Sequence, residues 1–178
     1  CDDQSSAKRK ACISLLGLIL DVLLKWFAPI LSFTTEEIFQ IINRDQNSSV
    51  HLQIFPEIPT KWENEKLFKK WEKFKIIRKV TNAAIEVKRS NKDIGSSLEA
   101  DVEVYLNEEY LKIAKDFDLS ENFITSKAEA KKISADSNFF KLGEIEDINV
   151  LVKKAEGEKC PRCWKIFSEP CVRCNAKN

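Results

Sequence analysis

The sequence predicts a mainly α-helical protein with a small α+β part and a cysteine-rich module near its end. Two long segments, 7–28 and 62–90, carry apolar residues at helical spacing. One segment, 98–106, alternates apolar and polar residues as a β-strand does, and four of the six cysteines fall within residues 160–174. Of the 178 residues, 43% are apolar and 32% charged, which is typical of a folded domain rather than a disordered chain.

The first helix is predicted over residues 7–28 and is apolar around most of its circumference. Its polar interruptions recur every three or four residues, which places them on one stripe of an otherwise buried helix: Ser14, Gly17, Asp21 and Lys25. The apolar stretch is too short and too interrupted to span a bilayer, which requires about 20 apolar residues. No membrane partner is therefore expected.

A second, shorter helix is predicted from a capping box, with Thr34 as N-cap, Glu37 three residues later, and an end near Ile42. Residues 49–56 are then predicted to be extended. Pro56 and Pro59 mark this stretch as a linker.

A long helix is predicted over residues 62–90. Seven apolar residues recur at spacings of three and four and define one face: Leu67, Trp71, Phe74, Ile77, Val80, Ala84 and Val87. The strand at 98–106 follows, with an apolar side and an acidic side, and it predicts a sheet covered on one face only. A helix over 108–117 and weaker strands at 119–125, 130–134 and 148–155 complete a small α+β unit.

Charge is unevenly distributed along the chain. The net charge is +1 overall, but residues 61–92 carry +7, residues 93–152 carry −8, and residues 153–178 carry +4. The balanced total excludes a uniformly basic protein but does not exclude basic patches. A lysine-rich helix is more often an ordinary solvated surface, but its charge is also compatible with contacts to phosphates, for which Lys88 and Arg89 are candidates.

The cysteine pattern predicts a metal site. Two CxxC motifs supply Cys160, Cys163, Cys171 and Cys174, and this spacing can place four thiolates around one tetrahedral zinc ion. Four cysteine ligands leave no open coordination position, so we expect one structural Zn²⁺ per chain. Two disulfides or a redox-active CxxC pair are the alternatives.

Cations and an aromatic ring surround these cysteines. They could form a nucleic-acid surface on which a base stacks on Trp164, or Trp164 could pack over the metal knuckle while the cations keep the module soluble. The candidates are Lys159, Arg162, Trp164, Lys165 and Arg173. No catalytic triad, phosphate loop or dinucleotide fingerprint is present in the sequence, so no catalytic residue is predicted.

The motifs resemble those of a known family. Three of them resemble the anticodon-binding region of the class I aminoacyl-tRNA synthetases for isoleucine, valine and leucine: the helix at 10–24, Ala28-Pro29-Ile30-Leu31-Ser32-Phe33-Thr34-Thr35-Glu36-Glu37-Ile38, and Ser49-Val50-His51-Leu52 with Phe55-Pro56. Three others resemble isoleucyl-tRNA synthetases of the bacterial type in particular: Arg78-Lys79-Val80-Thr81-Asn82-Ala83, Ile94-Gly95-Ser96-Ser97-Leu98-Glu99-Ala100, and Lys154 through Trp164.

This resemblance implies a C-terminal fragment of an ATP-dependent isoleucine–tRNA ligase, a cytoplasmic enzyme of protein biosynthesis. The chain has no methionine, as a fragment would, and it lacks the family's nucleotide-binding signatures and editing domain, so the fragment itself is expected to be non-catalytic. Residues 1–60 would hold the last helices of the anticodon-binding bundle, 61–155 a junction domain, and 156–178 the zinc module. The front of the bundle would be missing, which leaves an apolar face exposed.

The resemblance also implies the partners. These are the anticodon stem-loop of an isoleucine-specific tRNA and the remainder of the parent synthetase. It assigns the zinc ligands to the four cysteines and favours RNA contact by Arg162 and Trp164. The insert between the two CxxC motifs is shorter than is usual in the family, which removes loop surface. A zinc-stabilised module that binds DNA or protein is the alternative function.

Overall fold

The computed structural model describes residues 4–43, 47–134, 139–143, 145–171 and 174. The chain divides into two compact units, Asp2–Glu63 and Asn64–Asn178. The first unit is helical, and the second combines helices with a small mixed sheet and the cysteine cluster, so the predicted fold class is confirmed. The domain boundaries after residues 60 and 155 stay predictions.

The described residues of the first unit form two helices and two short 3-10 turns. Helix α1 spans Ala7–Phe27 and α2 spans Ser32–Ile42, and the 3-10 turns span Val50–Leu52 and Thr60–Trp62. Its small core joins both helices to the first turn through Leu24, Ala28, Phe39 and Val50.

Two local predictions in this unit are wrong. Thr34 is not an N-cap, because α2 already begins at Ser32, and the hydroxyl of Thr35 donates instead to the carbonyl oxygen of Leu31 at 2.9 Å. Residues 49–56 are not extended throughout. The Val50 N–H donates to the Glu36 carboxylate at 2.9 Å, and the hydroxyl of Ser49 accepts from the His51 N–H, which closes a 3-10 turn before the chain becomes extended.

Helix α1 is not the buried helix that its composition predicts. Leu24 is its only residue, among those described, that is fully buried, whereas Ile13 and Leu16 are each 57% exposed and Phe33 of α2 is 93% exposed. The apolar periodicity therefore predicted the helix correctly but predicted its burial wrongly. In the described part of the chain, no helix combines the length and apolarity that a bilayer span requires.

The second unit is built on a four-stranded sheet in the order β2-β1-β4-β3. The strands are β1 (Ala100–Leu106), β2 (Lys127–Lys132), β3 (Phe140–Leu142) and β4 (Ile145–Lys154). Strand β1 runs parallel to β2 and antiparallel to β4. The residues of β1 are alternately buried and partly exposed, as predicted from its sequence.

Helices cover one face of this sheet. Helix α3 (Glu65–Ser90) packs on β3, β4 and α4, and α4 (Glu108–Ala114) packs on β1 and β2. The middle of the predicted α3 face is fully buried, namely Phe74, Ile77, Val80 and Ala84. The two ends of that face, Leu67 and Val87, are exposed.

The weaker strand predictions had mixed outcomes. Strands β2 and β4 exist with shifted ends, but residues 119–125 contain a helical turn, α5 (Leu119–Asn122), rather than a strand. The carboxylate of Asp118 accepts from the Glu121 N–H at 3.0 Å and caps this turn, and Leu119 and Phe123 then face the core together. Strand β3 was not predicted.

Candidate metal centre and nucleic-acid interface

The first CxxC motif lies at the tip of a short hairpin. Strands β5 (Glu158–Lys159) and β6 (Ile166–Phe167) pair antiparallel. Inside the hairpin the Cys160 N–H donates to Lys165 O and the Trp164 N–H donates to Cys160 O, both at 2.9 Å. Gly157 precedes the hairpin with a φ of 126°, and a Cβ there would lie 2.1 Å from the carbonyl oxygen of Phe167. Only glycine fits this position, so Gly157 allows the backbone to pass close to Phe167 where the chain enters the hairpin.

The four cysteines meet around one point. Their sulfur atoms all lie within 4.8 Å of one another, and the Sγ atoms of Cys163 and Cys171 are 3.8 Å apart. Tetrahedral coordination with Zn–S bonds of about 2.3 Å requires S–S separations of about 3.8 Å. A disulfide would bring two sulfurs to about 2.0 Å. The geometry therefore fits a single ion between the two motifs, and this cluster can hold a metal.

The environments of the thiols differ. Hydrogen bonds from the backbone N–H groups of Cys163 and Arg162 lower the pKa of Cys160 to about 6. Burial, with hydrogen bonds to the neighbouring thiols, raises the pKa of Cys174 to about 12, and burial also raises that of Cys163. Four thiolates could not share this space alone because they would repel one another, whereas a divalent cation at their centre compensates their charge.

One side chain anchors the hairpin to the sheet. The hydroxyl oxygen of Ser126 accepts a hydrogen bond from the Ile166 N–H at 2.6 Å, and the same hydroxyl donates to Leu98 O. The backbone N–H of Ser126 donates to Ala100 O at 3.1 Å. Ser126 is only 8% exposed. The metal hairpin, which is the β5–β6 hairpin with the first CxxC motif at its tip, is thereby held at the end of the sheet where β1 and β2 begin.

The predicted RNA-contact residues of the hairpin occupy its outer surface. Trp164 is 59% exposed and has a φ of 64°, a left-handed conformation that is unusual for a bulky side chain. Lys159 and Arg162 are exposed. Lys165 is partly buried and its ammonium group lies 3.4 Å from the hydroxyl of Ser120, so it also contacts the protein itself. Arg173 lies outside the described residues.

The two predicted candidates on α3 are already engaged in ion pairs. The Lys88 ammonium lies 2.9 Å from the Asp93 carboxylate and the Arg89 guanidinium lies 2.8 Å from that of Glu86. Both pairs are solvent-exposed and therefore weak. Because α3 ends just before the loop into β1, Lys88 and Arg89 lie at the same end of the unit as the hairpin.

Sequence reasoning missed two residues that build this site. Gly157 carried a usable signal, because an isolated glycine beside a strand marks a close backbone approach. Ser126 carried none, because its partners Leu98 and Ile166 lie 28 and 40 residues away along the chain.

Comparison with known proteins identifies the family. Residues 1–105 match the family described as the anticodon-binding domain of tRNA ligase. The chain is similar to an isoleucine–tRNA ligase of Pelagibacter ubique, with 46% identity over 173 residues that cover 97% of this chain and 18% of the relative. It is 41% identical to the enzyme of Bradyrhizobium diazoefficiens (93% of this chain, 17% of the relative) and 39% identical to that of Caldanaerobacter subterraneus (92% and 18%).

The chain thus spans under a fifth of the length of these relatives. The family match covers more than half of the chain and includes α1, α2, α3 and all but the last residue of β1. This chain therefore belongs to the family of anticodon-binding domains of tRNA ligases.

Proposed function

We propose that this chain binds the anticodon stem-loop of an isoleucine-specific tRNA as part of an isoleucine–tRNA ligase. The family match and the printed names of the relatives support this proposal. Activation of isoleucine with ATP and its transfer to tRNA belong to the whole ligase, whose remainder is the second partner. The chain contributes recognition in the cytoplasm, where translation takes place, and no chemical step of its own.

A structural zinc ion is part of the proposal. The ligands would be Cys160, Cys163, Cys171 and Cys174, whose all-sulfur donor set and mutual distances fit Zn²⁺. When bound, the ion supplies a cross-link between the hairpin and the second CxxC motif. The ion and the hydrogen bonds to Ser126 would together hold the shape of this small hairpin.

The observation that carries the proposal is the placement of Trp164. A left-handed conformation costs a non-glycine residue roughly 1 kcal/mol or more, and glycine would relieve that cost. The indole is 59% exposed, which supports a ring that is open to a ligand rather than packed over the knuckle. An exposed aromatic ring on a strained backbone position of the hairpin is suited to stack on an unpaired base of an RNA loop.

Cations beside the ring would contact phosphates. Arg162 is exposed two residues before Trp164, and Lys159 is exposed on the adjoining strand. Lys88 and Arg89 could exchange their weak surface ion pairs for phosphate contacts at little cost. This combination of stacking and charge predicts binding that weakens steeply with salt.

The test is a titration of the 178-residue chain with an isoleucine-tRNA anticodon stem-loop at two salt concentrations, alongside elemental analysis. We expect saturable binding that weakens at higher salt and one zinc ion per chain. Duplex DNA of the same length serves as competitor. Preference for duplex DNA would overturn the tRNA assignment, and a chain without stoichiometric metal would overturn the zinc assignment in favour of redox-active cysteines.

A further inference from the structure

Three residues other than glycine adopt a left-handed backbone conformation in the described part of the chain. They are Lys92, Ile124 and Trp164, with φ values of 63°, 57° and 64°. Such conformations are uncommon outside glycine, and for β-branched or bulky residues they are true outliers. Strained positions of this kind cluster at functional sites when the side chain is needed there.

Lys92 and Ile124 occupy equivalent places in the chain. Each follows a helix, and the next residue closes the helix end with a 6→1 hydrogen bond: Asp93 N–H to Lys88 O and Thr125 N–H to Ser120 O, both 3.0 Å. Glycine is the preferred residue at this position. The chain does use glycine at another left-handed turn, Gly143, with a φ of 54° between β3 and β4.

Hydrogen bonds through Ser126 bring the three strained residues to one end of the sheet. Ser126 lies two residues after Ile124, and its hydroxyl contacts the Ile166 N–H two residues after Trp164. The same hydroxyl donates to Leu98 O, which follows the loop that contains Lys92. The strained residues therefore lie on three neighbouring connections at the end of the sheet that holds the metal hairpin.

The three side chains are exposed and chemically complementary to RNA. Lys92 is exposed, and within the described ranges it forms no ion pair, whereas Lys88 and Arg89 each do. Ile124 is 53% exposed and offers an aliphatic surface. A cation, an aliphatic side chain and an indole match a phosphate, a ribose or base edge, and a base face.

We propose that Lys92 and Ile124 contact the same RNA stem-loop as Trp164. The Lys92 ammonium binds a backbone phosphate, and the Ile124 side chain packs against the ribose or base of a loop nucleotide. This inference rests on the proposed function, since it extends the RNA surface beyond the hairpin. It explains why the chain carries lysine and isoleucine where glycine would be free of strain.

Glycine substitutions at positions 92 and 124 distinguish a loss of RNA binding from a loss of stability. Lys92→Gly and Ile124→Gly relieve the left-handed strain, so the thermal midpoint of the 178-residue chain should stay within a few degrees or rise. The affinity for the isoleucine-tRNA stem-loop should nevertheless fall by about threefold or more in each variant. Lys92→Gly should also reduce the slope of log K against log salt by about 1, whereas Ile124→Gly should leave the slope unchanged.

Matched controls complete the experiment. Lys92→Arg keeps the charge and should keep the affinity, and Lys141→Ala removes an exposed lysine of β3, an edge strand, and should change neither affinity nor slope. If both glycine variants bind like the unsubstituted chain, or lose affinity only as far as they lose stability, the inference is overturned. If the unsubstituted chain itself fails to bind the stem-loop, the proposed function fails first and the inference fails with it.

Discussion

The hydroxyl oxygen of Ser126 lies 2.6 Å from the backbone nitrogen of Ile166, 40 residues further along the chain. This hydrogen bond joins the end of the sheet to the metal hairpin, and a second one, from the same hydroxyl to Leu98 O, joins it to the start of β1. Ser126, which sequence patterns did not single out, therefore helps to set the orientation of Trp164 relative to the sheet.

Replacing Ser126 by alanine should loosen the hairpin without unfolding the sheet. The Ile166 N–H and Leu98 C=O would lose their partner, which costs about 1–3 kcal/mol for buried groups. We expect faster amide hydrogen exchange at Ile166, unchanged zinc content and a severalfold loss of stem-loop affinity. Ser120→Ala is the control, because Ser120 contacts the hairpin through the longer, 3.4 Å approach of Lys165. An unchanged exchange rate at Ile166 would refute the anchoring role.

Trp164→Ala should weaken binding of the anticodon loop by over 1 kcal/mol, because stacking of a base on an aromatic ring contributes about 1–3 kcal/mol. Isothermal titration with the stem-loop measures this change, and elemental analysis should still find the metal. Trp62→Ala provides a matched control, since Trp62 is 48% exposed but belongs to the other unit. If the Trp164 variant binds as tightly as the unsubstituted chain, with fold and metal intact, Trp164 does not stack on a base of the loop.

Cys163→Ser should abolish stoichiometric zinc binding and disorder the hairpin. The sheet of β1 to β4 should stay folded because its core does not include the cysteines. Zinc content by elemental analysis and the near-ultraviolet circular dichroism of the tryptophans report the two effects separately. Cys12→Ser tests specificity, since Cys12 is an exposed thiol on α1 outside the cluster. Retention of a full zinc equivalent in the Cys163 variant would contradict four-sulfur ligation.

Glu103 should make the second unit sensitive to acid. Hydrogen bonds from Tyr105, Lys131 and Lys153 lower the pKa of Glu103 from an ordinary 4.5 to about 2. A carboxylate with a lowered pKa in the folded state stabilises the fold above its unfolded pKa, and this contribution is lost as the pH falls from about 4.5 to 2.

The substitution Glu103→Gln removes this contribution. Because the partner lysines are solvent-exposed, we expect the variant to lose about 1–2 kcal/mol of unfolding free energy at neutral pH. Urea denaturation at a series of pH values should show the two proteins converging near pH 2. A difference that stays constant between pH 7 and pH 2 would show that ionisation of Glu103 is not its source.

The sequence predicted the elements whose signals are local and long. The alternation of β1 and the periodicity of α3 each extend over many residues, and the two CxxC motifs are tightly spaced, so chance patterns are improbable there. Short elements were harder to predict from the sequence. Strands β5 and β6 have two residues each, and the helical turn at Leu119–Asn122 has four, which is too short for a helical period to show.

Other features depend on contacts that sequence periodicity does not encode. The periodicity of α1 predicted an apolar helix correctly, but it could not show that most of its apolar residues are exposed in this chain. The left-handed conformations of Lys92, Ile124 and Trp164 were equally hidden, because sequence reasoning expects glycine at such positions.

The most direct measurement follows the indole N–H resonance of Trp164 by NMR while the isoleucine-tRNA stem-loop is added. The chain has four tryptophans, and the resonance absent from Trp164→Ala assigns the relevant one. Stacking on a loop base predicts a saturable shift of that resonance, while the Trp26 and Trp62 resonances stay in place. A Trp164 resonance that does not move while the RNA binds would contradict the proposal that this hairpin reads the anticodon loop.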